Sequence, residues 1–87
     1  MNDDNSIKVI ERFYEALDLV VASKRIRGLA TFTAAHGFDR RDLYYVKKNP
    51  KSDMFQMSWM AALISDFGVS AKWLMTGQGG MFDSESK

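Results

Sequence analysis

The stretch AAHGFDRRDLYYVKK, residues 34–48, constrains the fold of this chain most, because it predicts two short helices joined by a tight turn. Gly37 lies where the chain has to turn sharply, and glycine adopts the positive φ of such a turn without a Cβ clash. Asp39 is suited to cap the second helix, since a carboxylate accepts hydrogen bonds from free backbone N–H groups. We therefore expect one helix to end before Gly37 and another to run over about residues 40–48.

The helix predicted over residues 40–48 has two chemically different faces. Leu43 and Val46 are three residues apart and share one face. Basic and aromatic residues recur at helical spacing on the other face: Arg40, Arg41, Tyr44 and Lys48. A helix that is anchored by an apolar face and offers such a second face is suited to contact phosphates and base edges. Adjacent arginines are also common on ordinary solvated faces, so this pattern alone leaves both interpretations open.

The formal net charge is only +1, but the charges are distributed unevenly along the 87 residues. Residues 1–23 contain two basic and five acidic residues, and residues 54–87 contain two basic and three acidic ones. Residues 24–53 contain eight basic and three acidic residues. Positive charge confined to the middle third indicates a surface for a polyanion, with chance clustering as the alternative.

The length of the chain allows one domain with a small hydrophobic core. It contains no cysteine, which excludes a disulfide framework and is typical of a reducing compartment. No apolar run approaches the ~20 residues of a membrane span. The acidic N-terminal sequence MNDDNS does not resemble a signal or transit peptide. We therefore expect a cytoplasmic protein with no membrane partner.

Hydrophobic periodicity predicts five helices and no strands, so the expected fold class is an all-α helix bundle. The first helix is expected from Asn5 or Ser6 to about Ser23, and the second from about Leu29 to His36. Apolar residues at three- and four-residue spacing form the inward face of the first helix: Ile10, Phe13, Leu17, Val20 and Val21. This pattern indicates a scaffold helix that packs on the core.

A fourth helix is predicted over about residues 55–67, with Asp53 as its cap and Gly68 at its end. Its wide apolar face contains Met57, Met60, Ala61, Leu63, Ile64 and Phe67. Of these, Met57 and Met60 are expected in the core rather than in a binding groove. Trp59 lies beside this face and is expected to pack either on the first helix or on a second subunit.

A fifth helix is predicted over residues 71–76, where Ser70 can cap its start and Gly77 its end. The domain is then expected to span residues 1–77, followed by a flexible tail over residues 78–87. Apolar side chains near this end exceed what a two-turn helix can bury, which indicates an interface. We predict a homodimer through four of them: Trp73, Met75, Met81 and Phe82. The alternative is that Trp73 folds back onto the first helix.

Catalytic and metal chemistry find no support in the residue pattern. His36 is the only histidine and ends the second helix, where the helix dipole favours it, so we expect it to be partly buried. No set of His, Cys and acidic residues is suited to zinc or to general acid–base catalysis. The stretch GQGG, residues 77–80, lacks the flanking strand, helix and lysine of a phosphate loop. We expect no enzyme activity, cofactor, metal or small-molecule substrate.

Three features of the sequence together resemble a known family. They are the turn residues Gly37 and Phe38, the pair Leu43 and Val46, and the segment FGVSAKWLMTG at residues 67–77. From about Ile26 to Gly77 the chain is similar to the phage repressor and Cro-like (XRE-type) helix-turn-helix domain. The resemblance implies a lambda-repressor-like fold whose second short helix reads the DNA major groove.

Three features differ from the usual pattern of this family. Leu29 stands where a phosphate-contacting glutamine is usual, and Thr33 stands where alanine usually packs between the two helices. The connector after the third helix, with Lys47, Lys48 and Asn49-Pro50, is more basic than the usual one.

The resemblance implies two groups of DNA contacts. The base-reading residues would be Arg40, Arg41, Tyr44 and Tyr45. The phosphate contacts would be Thr31, Lys47, Lys48 and Lys51. The resulting prediction is a sequence-specific double-stranded DNA-binding protein, a repressor of phage or prophage type that acts as a homodimer. The alternative is a protein-interaction adaptor that keeps this fold and binds a partner chain.

Overall fold

The computed structural model of the protein describes residues 4–23 and 29–82, and for residues 29–31 it describes the backbone alone. Five α-helices make up most of this part of the chain: α1 (Asp4–Ala22), α2 (Leu29–His36), α3 (Arg40–Lys48), α4 (Met57–Phe67) and α5 (Ala71–Thr76). The prediction of an all-α protein with five helices is confirmed for the described residues. The observed bounds of α2, α3 and α5 agree with the predicted ones.

One face of α1 forms the floor of the hydrophobic core. Phe13, Leu17 and Val20 recur at helical spacing and have no exposed surface, and α1 contacts α3, α4 and α5. Full burial of a side chain of this size contributes about 1.5–3 kcal/mol to the free energy of unfolding. The stability of the helix assembly therefore depends mainly on α1, as its apolar periodicity predicts.

The connection between α2 and α3 is a Schellman motif followed by a capped helix start. Gly37 has φ 70°, its N–H donates to the Ala34 carbonyl at 3.4 Å, and the Phe38 N–H donates to the Thr33 carbonyl at 2.8 Å. Asp39 is the N-cap of α3 and accepts from the Arg41 backbone N–H at 2.9 Å. The positive φ of Gly37 and the cap at Asp39 are both confirmed.

A series of aromatic rings extends from α1 to the turn before α3. The ring of Phe13 meets that of Phe55 at 5.1 Å between centroids, and Phe55 meets Trp59 at 5.4 Å, both edge to face. Trp59 in turn contacts Phe38 at 6.5 Å, and Phe38 lies 5.7 Å from Phe32. Trp59 is 1% exposed, so it is part of the core of its own chain.

The start of α4 differs from the prediction. Asp53 does not cap it, because residues 51–54 form turns and the helix begins at Met57 with Gln56 as its N-cap. Met57 is consequently the first residue of α4 and is 68% exposed, so its predicted core position is wrong. At the other end, Gly68 closes α4 in the left-handed conformation, as predicted.

The chain after α5 folds back on the domain over residues 78–82, where the sequence predicts a flexible tail. The Ser70 backbone N–H donates to the Met81 carbonyl at 2.8 Å, and Val69 forms an isolated antiparallel bridge with Phe82. Met81 and Phe82 are partly buried against the core. Burial of these two apolar side chains explains why this part of the predicted tail packs on the domain. Residues 83–87 lie outside the described residues.

Replacement of Gly37 by alanine tests the Schellman turn. Nothing lies within 4 Å of a Cβ built at Gly37, so the cost comes from its φ of +70° alone. We expect Gly37→Ala to lower the free energy of unfolding by about 1–2 kcal/mol in urea denaturation. Gly80→Ala is the matched control, because Gly80 is outside the set of positive-φ glycines and its Cβ would meet only the Phe82 carbonyl oxygen at 3.6 Å. Equal losses in the two variants would contradict this account.

Candidate nucleic-acid interface

The helix α3 is anchored by one face and exposed on the other. Leu43 and Val46 have no exposed surface, whereas the side chain of Arg41 is 92% exposed. Tyr44 and Tyr45 are 47% and 49% exposed. Arg40 and Lys48 also belong to the exposed residues of this helix. The structure therefore brings all four predicted base-reading residues onto the exposed side of α3.

A buried hydrogen bond connects α3 to α1. The Tyr14 hydroxyl donates to the Leu43 carbonyl in the middle of α3 at 2.7 Å. Tyr14 is 6% exposed, and burial raises the pKa of its hydroxyl far above the ordinary value of a tyrosine. This bond limits the rotation of α3 about its own axis and thereby determines which side chains point away from the domain.

Lys47 also connects α3 to α1. Its Nζ lies 3.1 Å from Oδ1 of Asp18, with the two side chains 40% and 56% exposed. An exposed pair of this kind contributes about 0–1 kcal/mol to stability. Of the predicted phosphate contacts, Lys47 is therefore the one that forms an ion pair with an acidic residue of α1. Within the described part of the chain, Lys48 and Lys51 have no ion-pair partner.

The turn after α3 brings Lys51 back beside the end of the helix. Asn49 forms this turn: its N–H donates to the Val46 carbonyl at 3.0 Å, and its Nδ2 donates to the Tyr45 carbonyl at 2.8 Å. The Ser52 N–H then donates to the Asn49 carbonyl at 2.9 Å. An open cup of about 500 Å³ results, lined by Tyr45, Lys48, Asn49, Pro50, Lys51 and Ser52. This basic cup extends the positive surface of α3.

The predicted site residues outside α3 and its turn lie in different surroundings. The side chain of Thr31 lies outside the described residues. Trp73, Met81 and Phe82 pack partly buried against the core, whereas Met75 is 52% exposed. Three of these four apolar residues therefore have contacts within their own chain. Of the apolar side chains on which the predicted dimer surface was based, Met75 alone is largely exposed. The dimer itself stays a prediction.

His36 connects the end of α2 to α4. Its Nε2 lies 2.6 Å from Oδ2 of Asp66, and its ring stacks on Phe38 with 5.2 Å between centroids and 16° between planes. The side chain is 27% exposed, as expected for a partly buried residue at a helix end. His36 thus connects Phe38, in the turn before α3, to Asp66 of α4. Among the described residues, no group of three His, Cys or acidic side chains could hold a metal ion.

The contributions of Tyr14 and Asp18 to this surface are not predicted from the sequence. Tyr14 lies between apolar positions of α1, and Asp18 lies on its polar side, so neither stands out from the scaffold pattern. Each is paired with a residue 29 positions later in the chain. The sequence gives one indication of these contacts. Tyr14 and Asp18 are four residues apart, which places them on the same side of α1.

Comparisons of this chain with protein-family models, with curated proteins and with solved structures gave no match. The similarity to phage repressors consequently stays an expectation from the sequence. A separate finding concerns membranes: among the described helices, none has the length and apolar composition required to cross one.

Replacement of Tyr14 by phenylalanine tests the bond to α3. The variant keeps the ring and loses the hydroxyl, so we expect a loss of about 0.5–1.5 kcal/mol in the free energy of unfolding at neutral pH. The folded-state pKa of Tyr14 is raised, so wild type loses stability as pH rises above about 10, where the unfolded chain ionises first. The difference between wild type and Tyr14→Phe should therefore shrink above that pH in urea denaturation. A difference that stays constant through the alkaline range would contradict the buried hydroxyl.

Proposed function

We propose that this protein binds double-stranded DNA sequence-specifically, with α3 in the major groove. The observation that carries the proposal is the division of α3 into a fully buried face, formed by Leu43 and Val46, and an exposed basic and aromatic face. A helix held in this way can present guanidinium groups to a partner without losing its own packing. An α-helix with its side chains is about 10–12 Å in diameter, and the major groove is about 12 Å wide, so the groove admits such a helix.

The side chains on and beside α3 suit two different tasks. Arg40 or Arg41 reads guanine, because a guanidinium donates two hydrogen bonds to the O6 and N7 atoms of that base. Tyr44 and Tyr45 contact bases or the sugar-phosphate backbone. The lysines hold the phosphates, and Lys51 does so from the turn beside the helix end. Lys47 contributes less than the other lysines, since Asp18 offsets part of its charge.

The arrangement of α2, the Schellman turn and α3 agrees with a helix-turn-helix motif of the lambda-repressor-like type, with α3 as recognition helix. The similarity of residues 26–77 to phage repressor domains supports a function as a transcriptional repressor of phage or prophage type in the cytoplasm. A single module of this size makes a limited DNA interface of roughly 600–1,000 Å². Binding as a homodimer to a two-fold symmetric site would supply the remaining affinity.

Arg41→Ala tests the base-reading assignment. The variant should lose about 1–3 kcal/mol of binding free energy on the best site selected from a random duplex library, and little on random DNA. Preference at one base position should relax. The side chain of Arg41 is 92% exposed, and its ion pair with Asp39 is long, with 3.7 Å between Nε and Oδ1. The free energy of unfolding should therefore change by less than about 0.5 kcal/mol. Fluorescence anisotropy with labelled duplexes measures both affinities.

Lys51→Ala is the matched variant for a contact that carries no sequence information. It should weaken binding to all duplexes alike and reduce the slope of log affinity against log salt by about one. A folded Arg41→Ala protein with unchanged affinity and unchanged site preference would contradict the major-groove assignment. If wild type shows no salt-dependent duplex binding at all, the adaptor alternative becomes the better account of α3.

A further inference from the structure

An ion pair joins the positive surface of α3 to the acidic side of α1. Nζ of Lys47 lies 3.1 Å from Oδ1 of Asp18, and the two side chains are 40% and 56% exposed. The side chain of Arg41, on the same helix as Lys47, is 92% exposed. Lys47 is therefore held along the surface of the domain, towards α1, whereas Arg41 extends into solvent.

The packing of α1 on α3 brings these two side chains together. One turn before the ion pair on both helices, the Tyr14 hydroxyl donates to the Leu43 carbonyl at 2.7 Å. Residues 14 and 18 of α1 thus lie beside residues 43 and 47 of α3, and a spacing of four keeps both contacts on one side of each helix. The buried hydrogen bond of Tyr14 consequently holds the acidic side of α1 next to Lys47.

The charges around α3 differ between its α1 side and its C-terminal end. On the α1 side, residues 13–22 carry the exposed carboxylates of Glu15 and Asp18 and no basic residue. At the C-terminal end, Lys48 and Lys51 line the basic cup, and neither has an ion-pair partner in the part of the chain that the structure describes. Of these three lysines, Lys47 is therefore the one whose charge is offset by the domain itself.

We propose that Asp18 restrains Lys47 and thereby determines where the phosphate-binding surface of α3 ends on the side of α1. This inference rests on the proposed function, because it concerns the phosphates of a bound duplex. A phosphate that approaches Lys47 competes with Asp18 for the same ammonium group and is repelled by the carboxylate. Lys48 and Lys51 bind phosphate without this competitor, so the DNA backbone is held mainly from the basic cup.

The consequence for affinity follows from counterion release. Each phosphate that a free lysine neutralises releases condensed cations and contributes about −0.9 to the slope of log affinity against log salt. In the free protein Asp18 already offsets the charge of Lys47, so contact of this lysine with a phosphate gains little. Removal of the Asp18 charge therefore makes Lys47 available as one additional phosphate contact.

Asp18→Asn tests the proposal, with binding to labelled duplexes measured by fluorescence anisotropy at about 50–200 mM salt. The variant should bind every duplex about fivefold more tightly at the lowest salt concentration, and the slope should steepen by about one. Base preference should not change, since phosphates carry no sequence information. The midpoint of urea denaturation should stay close to that of wild type, because exposed ion pairs contribute little to stability.

Two further variants separate the ion pair from a general effect of charge. Glu15→Gln makes the same change in net charge at an exposed carboxylate of α1 that forms no ion pair within the described residues. Its salt slope should stay that of wild type, with a gain in affinity well below that of Asp18→Asn. Addition of Lys47→Gln to Asp18→Asn should remove the extra slope, because Lys47 makes the additional contact.

Two results would overturn the proposal alone. Asp18→Asn that binds duplex no more tightly than wild type contradicts the restraint, and weaker binding would show that Asp18 positions Lys47 for a phosphate. Equal gains in Asp18→Asn and Glu15→Gln would reduce the effect to net charge. In both cases wild type still binds duplex, so the proposed function stands. A wild-type chain that binds no duplex at any salt concentration contradicts the proposed function itself, and this inference with it.

Discussion

The burial of one face of α1 is the constraint on which the rest of the structure depends. Phe13, Leu17 and Val20 have no exposed surface, and α1 contacts each of α3, α4 and α5. Two polar side chains of the same helix add directional contacts to this non-directional packing. The Arg12 Nε donates to the Leu74 carbonyl near the end of α5 at 2.7 Å, and the Tyr14 hydroxyl donates to the Leu43 carbonyl in α3 at 2.7 Å. The position of α1 therefore determines how α3 and α5 lie relative to each other.

This arrangement separates the residues that stabilise α3 from those that can contact a partner. Leu43 and Val46 provide its packing, and Asp39 satisfies a free N–H group at its start. The side chain of Arg41 makes few contacts with the domain, since it is 92% exposed, whereas Tyr44 and Tyr45 are 47% and 49% exposed. Arg41 can therefore be replaced with little effect on stability, while Leu43 and Val46 cannot.

The turn over residues 49–52 and the segment that follows it place two chemically different surfaces side by side. The cup around Lys48 and Lys51 is basic, and a groove of about 240 Å³ whose lining includes Asp53, Phe55 and Met57 is mainly apolar. The two surfaces are thus neighbours in the structure while they depend on different residues.

The sequence by itself determined the features that depend on neighbouring residues. The bounds of α2, α3 and α5, the positive φ of Gly37 and the caps at Asp39 and Ser70 arise from hydrogen bonds between residues at most five positions apart, so local residue types predict them. The tertiary structure alone decided which distant residues meet. These features are the Tyr14–Leu43 and Asp18–Lys47 contacts and the hydrogen bond between Ser70 and Met81. It also decided that Met57 is exposed. These features depend on the relative orientation of whole helices, and α4 shows why orientation is not readable from its residues. A helix with a wide apolar face can bury several different stripes, and only its neighbours select the one that includes Trp59 and leaves out Ala61.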